Sequence, residues 1–220
     1  MNIFMAIFFA LLLAVGIALL IVLQFPAFGR APRGKRLERI KQSPHYRNGR
    51  FHNIRNAPTL TSSKSLVQRM KEFIFDRPRR LKPSAPLPFV HTSLSTLAQA
   101  NDDVLVWLGH SSVFLKTDGL TFLVDPVFTT ASPFPWMFSP FKGSNGFTIE
   151  EVPPIDVLII THDHYDHLDF HTIKQLRQRV TRVVCPLGVG EHLDRWGYPS
   201  DAITELDWDE SVLLDHKIQL

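Results

Sequence analysis

The stretch Asp156–Asp169, D-V-L-I-I-T-H-D-H-Y-D-H-L-D, decides how the rest of the chain is read. Val157 to Ile160 is a short, apolar, β-branched run of the kind buried on both faces of a sheet, and at Thr161 it gives way abruptly to His and Asp. If the backbone stays extended past Ile160, the two-residue period sets His162, His164 and Asp166 on one side, with His167 turning in behind them. Imidazole nitrogens and carboxylate oxygens are the usual non-thiolate ligands of Zn²⁺, and four such groups within six residues exceed the three that one catalytic zinc takes. The set suits two metals, His162 and His164 on one, Asp166 and His167 on the other. Solvated histidines at a strand end are the plainer account of a lone H-x-H. The full H-x-H-x-D-H directly after a buried strand argues against that account.

This pattern resembles the signature of the metallo-β-lactamase fold hydrolases, and the motifs around it narrow the likeness. Trp107-Leu108-Gly109-His110-Ser111-Ser112, Leu123-Val124-Asp125-Pro126-Val127-Phe128, Thr148-Ile149-Glu150, Val184-Cys185-Pro186-Leu187-Gly188 and Glu205-Leu206-Asp207-Trp208 are similar to the branch that hydrolyses N-acylphosphatidylethanolamine, a phospholipase D-like activity. The likeness runs from about Pro44 to Leu220. It implies an αββα sandwich, two zinc ions, and attack of hydroxide on the phosphorus of a glycerophospholipid headgroup diester, with Asp166 also positioning the hydroxide. His110 gains a site-lining role through this resemblance alone. Further ligands are implied from a second half: a third histidine for the first metal, a bridging carboxylate, and a final histidine for the second. The chain stops at Leu220 inside an apparent strand, so it is expected to hold the first half of the sandwich.

Several functions fit those expectations. One is a membrane-anchored phosphodiesterase with a phospholipid substrate; another is a truncated, inactive remnant of such an enzyme. A lactonase or nuclease on the same fold is a third, because the metal motif alone does not choose the substrate. Fe and Mn tolerate similar ligand sets, so the residues do not single out zinc.

At 220 residues and 45% hydrophobic, the chain can bury one sizeable core and carry an N-terminal appendage. Cys185 is the only cysteine, which excludes an internal disulfide and argues against a thiolate metal site. The net charge of +3 conceals a division. Residues 30–82 hold 16 Lys/Arg against three Asp/Glu, a balance of +13, whereas residues 83–220 hold 8 against 18, a balance of −10. An acidic catalytic part repels polyphosphate and disfavours nucleic acid as a partner.

Ile3 to Phe25 is a run of 23 residues with no charge, long enough as a helix to cross a hydrocarbon core of about 30 Å. A signal peptide is the competing reading; the missing basic n-region and the length of the run favour a retained anchor. Arg30, Arg33, Lys35, Arg36, Arg39 and Lys41 follow at once, which places the bulk of the chain in the cytoplasm and sets a basic collar against anionic headgroups. The expected division is therefore an anchor over 1–29, a basic lead-in over 30–90 and the metallo-β-lactamase fold domain over 91–220. Within the lead-in, Asn48-Gly49 marks a turn, and Leu66, Val67, Met70, Phe73 and Ile74 recur at helical spacing, either packed on the domain or resting on the bilayer. Pro78, Pro83, Pro86 and Pro88 make residues 77–90 a linker or a wrapped extended segment.

Beyond the lead-in, Val104–Leu108, Val113–Lys116 and Leu120–Val124 read as an antiparallel meander, its second turn set by Asp118-Gly119. After the metal motif, helices over Phe170–Arg179 and Val189–Trp196 alternate with strands over Val180–Cys185, Ala202–Leu206 and Ser211–Leu214, and Asp169 is placed to cap the first helix. That alternation is an α/β class with helices layered on sheets. Asp125 is either an acceptor that orients a ligating imidazole or a turn-forming residue before Pro126. The loop Phe128–Phe147 mixes aromatic and turn residues, so it either packs on the sheet or meets acyl chains, with Trp136 and Phe138 the lipid-contact candidates. His171, His192 and His216 lie outside any ligand motif and are read as surface or packing residues.

Overall fold

The computed structural model describes residues 3–55, 63–76, 82–134, 136, 138, 140–144, 146–214 and 218–220. Helix α1, Ile3–Leu23, has 21 apolar residues, none of them buried, and is long and apolar enough to cross a membrane. A single tight turn, Pro26–Phe28, leads to helix α2, Gly34–Gln42, which the density of basic residues had hidden. Its Ile40 is buried, the inward end of a short apolar face begun by Leu37. Strands β1, Tyr46–Arg47, and β2, Arg50–Phe51, then pair about Asn48-Gly49, where both turn residues take positive φ, as a primed hairpin turn requires.

Helix α3, Leu66–Phe75, opens with a capping box: the Ser65 hydroxyl accepts from Gln68 N at 3.2 Å, and the Gln68 side chain accepts from Ser65 N at 2.9 Å. None of its residues is buried, so its apolar stripe is not packed on the domain. Of the two readings of the proline-rich segment, the wrapped one holds for its described part. Leu87 N donates to Lys142 O at 2.8 Å, and the Phe89 ring packs on Phe147 at 5.1 Å.

Helix α4, Leu94–Ala98, precedes the meander of β3, Val104–Gly109, β4, Ser112–Thr117, and β5, Leu120–Val124. Strand β6, Ile155–Ile159, ends at the metal motif; helix α5, Phe170–Leu176, strand β7, Val180–Pro186, helix α6, Gly190–Arg195, and strand β8, Ile203–Leu206, follow. The main sheet has the order β3-β4-β5-β6-β7-β8, antiparallel through β5 and parallel from there on. Alternate residues of its central strands enter two cores. Phe114, Leu123, Leu158, Val183 and Cys185 pack with Ile173, Leu176 and Leu193 from the helices, while Phe122, Val157 and Val184 face the other way with Leu214. This is a layered α/β fold about a mixed sheet.

Element boundaries differ from the sequence reading, most visibly after the metal motif. Helix α5 ends at Leu176, and Arg177–Arg179 tighten into a 3-10 turn before β7. The expected strand over Ser211–Leu214 is confined to β9, Leu213–Leu214, which pairs with β10, Ile218–Gln219, as a hairpin apart from the main sheet. His216 lies outside the described residues.

Candidate metal centre

The parallel strands deliver their carboxyl ends to one rim, the edge at which α/β sheets characteristically hold ligands. Asp125 leaves β5 with its N–H on Ile159 O at 2.9 Å, and Ile160 leaves β6 with its N–H on Val184 O at 3.0 Å. Both bonds continue the ladder one residue past the strands, so Asp125 and the start of the His/Asp loop are held in register.

Beyond Ile160 the backbone does not stay extended. His164 O accepts from His167 N at 2.9 Å and from Leu168 N at 2.8 Å, closing a turn. The two-residue period therefore describes His162 and His164, whose rings lie 4.6 Å apart, but it does not place Asp166. Asp166 is carried round the turn to His110, whose Nε2 is 3.0 Å from Asp166 Oδ2, and His167 swings back so that its ring lies 3.9 Å from that of His162. His110, Asp166 and His167 offer ligand atoms within 4.8 Å of one another. The β3–β4 turn supplies His110 in a left-handed conformation, φ 44°, and Trp107 Nε1 donates to its carbonyl at 2.8 Å.

Asp125 is buried and organises two imidazoles at once. Its Oδ2 accepts from His167 Nδ1 at 2.8 Å and from the Thr161 hydroxyl at 2.6 Å; its Oδ1 accepts from Thr161 N at 2.8 Å. With its proton committed to Asp125, Thr161 Oγ1 accepts from His162 Nδ1 at 2.9 Å. Both histidines thus carry their proton on Nδ1 and present the Nε2 lone pair, the form in which imidazole binds a cation. Of the alternatives for Asp125, the orienting acceptor describes this geometry, and its positive φ of 42° shows that it turns the chain as well.

The electrostatics agree with a site that binds cations. Burial, followed by repulsion from His167 and His164 when those rings are protonated, holds the His162 imidazole below its ordinary range, favouring the neutral ligand form. Burial pushes the Asp166 carboxyl upward, but its own backbone N–H, the His110 hydrogen bond and the attraction of His167 when that ring is protonated outweigh it and hold the carboxyl below the usual range. Two neutral imidazoles and a carboxylate are the donors that Zn²⁺, Fe or Mn accept, so the residues fit the metal that the fold implies.

The aromatic loop divides between its two expected roles. Phe128 and Phe147 are buried in the main core, whereas Trp136 is 78% exposed and Phe138 69%. Phe134 stacks on Trp136 at 5.1 Å and meets Phe28 at 5.8 Å, and Phe28 in turn meets Tyr165 of the metal motif at 6.5 Å. A cavity of about 350 Å³ lies among Phe28, His164, Tyr165, Asp166, His192 and Trp196. A second, apolar groove of about 780 Å³ runs past His162 between Ile40, Phe51, Val184, Leu206 and Trp208.

Sequence reasoning missed the partners of the basic collar. Arg30 Nε lies 2.7 Å from the buried Glu191 Oε1, Arg36 Nε lies 2.9 Å from Glu205 Oε2, and Arg36 also pairs with Asp194. The signal was present in the opposite charges of the two segments. His192, read as surface or packing, proves largely buried, and its Nδ1 accepts from Arg30 N at 3.0 Å. His171 follows the helix cap, its N–H on Asp169 Oδ1 at 3.1 Å.

The chain is similar to several known proteins. Residues 121–220 match the model of the beta-lactamase superfamily domain. An uncharacterized protein of Mycobacterium tuberculosis is 35% identical over 178 residues, 80% of this chain and 47% of that protein. The N-acyl-phosphatidylethanolamine-hydrolyzing phospholipase D 1 of Caenorhabditis elegans is 32% identical over 115 residues, 48% of this chain and 31% of that protein. The crystal structure of CmlA, a diiron β-hydroxylase from Streptomyces venezuelae, superposes with a TM-score of 0.41 at 36% identity, over 52% of this chain and 22% of that one. The chain thus spans about half the length, or less, of these relatives.

Proposed function

We propose, from a chain that carries the metallo-β-lactamase fold and a beta-lactamase superfamily domain over residues 121–220, that the protein is a membrane-anchored, metal-dependent hydrolase. More finely, we read it as a phosphodiesterase of the phospholipase D type acting on N-acylphosphatidylethanolamine-like lipids. The observation that carries this reading is the gathering of His162, His164, Asp166 and His167 at the carboxyl rim, with an apolar groove beginning at His162. Those four residues would hold the metal, zinc in the first instance. A bound pair of such ions supplies Lewis acidity toward phosphoryl oxygen and acidifies water.

The protein's own residues do the rest. Asp125 and Thr161 keep His162 and His167 in the ligating tautomer. His110 restrains the Asp166 carboxylate, so the group that would position the nucleophile has one orientation. The groove suits an acyl chain, and Trp136 and Phe138 give the aromatic loop an apolar surface for lipid. Helix α1 supports anchoring, and the basic residues after it support a cytoplasmic domain.

The test is hydrolysis of an N-acylphosphatidylethanolamine by the whole protein in vesicles. Release of phosphatidic acid and N-acylethanolamine, abolished in Asp166→Ala with membrane attachment intact, is the expected result. Undiminished turnover in that variant, or lactone hydrolysis without phosphodiester cleavage, would overturn the reading.

A further inference from the structure

We propose that the segment between α1 and α2 is a latch that seats the metal-motif loop at the bilayer surface, with Phe25, Phe134 and Trp136 forming a face that lies in the headgroup layer. The proposal rests on the anchor reading of α1 and is independent of the proposed reaction.

The latch is built from both sides. Arg195 of α6 donates from Nη2 to Gln24 O at 2.7 Å and also to Gly29 O, and Trp196 Nε1 donates to Pro26 O at 2.8 Å, so the carbonyls just past α1 are held by the domain. Arg30 and Arg36 return the contact to Glu191, Asp194 and Glu205. Glu205 is itself fixed, its Oε1 accepting from Gly188 N at 2.7 Å and Gly190 N at 2.9 Å. Guanidinium groups engaged with the buried Glu191 and the half-buried Asp194 and Glu205 are not free to bind lipid headgroups, which corrects the sequence-based picture of this part of the collar.

The consequence is positional. Only Gln24 and Phe25 separate α1 from the latched turn, too little chain for the domain to swing away from the helix exit. Phe25, 48% exposed, reaches Phe134 at 6.5 Å, and Phe134 carries the aromatic contact on to Trp136. Trp136, an apolar ring with a polar N–H, is the residue type that belongs in the interfacial layer, and the wholly apolar rings of Phe25 and Phe134 continue the span toward it. Phe28 joins the same cluster to Tyr165, so the metal-motif cavity opens beside that face.

The test uses the full chain in vesicles of phosphatidylcholine with a minor share of phosphatidylglycerol, carrying a nitroxide on Trp136→Cys or, as control, on Asp118→Cys. The native Cys185 is buried, and Asp118 lies at the opposite end of β5 from Asp125. Oxygen accessibility relative to a water-soluble nickel chelate should be several-fold higher at 136 than at 118. The combined Arg30→Ala and Arg36→Ala change should bring position 136 close to the aqueous control. Equal, aqueous accessibility at both positions in a carbonate-resistant membrane protein would overturn the proposal while leaving the anchor intact. A protein washed off by carbonate would overturn both, and an unchanged depth at 136 after the double change would overturn the latch.

Discussion

His167 Nδ1 lies 2.8 Å from the buried Asp125 Oδ2, and through the Thr161 hydroxyl the same oxygen also governs His162. One carboxylate from the end of β5 thereby fixes the proton position on two imidazoles contributed by the loop after β6. Asp125→Asn keeps the size of the group and tolerates the positive φ, but loses the charge that both contacts use. Metal affinity should fall by about 10–100-fold, as for other acceptors behind ligating histidines, with far-UV circular dichroism unchanged. Competition against a chromogenic chelator measures it.

Asp169 is the second buried carboxylate of this rim, and its work is structural. It accepts from Thr129 N, the Thr129 hydroxyl, the Thr172 hydroxyl and His171 N, joining the loop after β5 to the start of α5. Asp169→Ala removes a helix cap and leaves buried donors without a partner, a loss of about 2 kcal/mol or more. Chemical denaturation should show it, while Asp201→Ala, at an exposed carboxylate, should stay within about 0.5 kcal/mol of the wild type.

Burial holds the His192 imidazole below its ordinary range, against the opposing charges of Asp163 and Glu191 and with that of Arg195. A depressed folded-state value means that the unfolded chain binds the proton more readily. The stabilisation is therefore complete above about pH 6.5 and is lost as pH falls through the folded value. Protonation also removes the acceptor for Arg30 N. Limited proteolysis at the α1–α2 junction should accelerate below about pH 6 in the wild type and lose that pH dependence in His192→Gln.

Gly29 takes φ 65°, and a Cβ there would run into the His192 ring. Gly29→Ala combines backbone strain with a collision that His192, itself packed at 6.0 Å from Trp196, cannot relieve by a small movement. The junction should become the first site of cleavage, ahead of any change in the main sheet. An undisturbed digestion pattern would show that the turn tolerates another conformation.

What the sequence revealed, and what it concealed, follows from the range of the interactions. The buried strand before Thr161, the Asp118-Gly119 and Asn48-Gly49 turns and the Asp169 cap are local patterns, and each is legible because its cause lies within a few residues. The pairing of His110 with Asp166 spans 56 positions and that of Arg36 with Glu205 spans 169, so no periodicity exposes them. Extended geometry failed at His164 for a related reason. The chain turns there through His164 O, which accepts from His167 N and Leu168 N, and so carries Asp166 across the rim to His110, a contact that a strand pattern does not encode. Helix α2 escaped notice because an apolar face of Leu37 and Ile40 is too short to stand out among six neighbouring cations.

The most direct test of the account is the metal content of the whole protein after exhaustive dialysis, measured for the wild type and for His167→Ala. Retention of zinc, iron or manganese by the wild type, and its loss from the variant with folding preserved, is the predicted result. An equal metal content in the two proteins, or none in either after loading, would contradict the metal centre built here on His162, His164, Asp166 and His167.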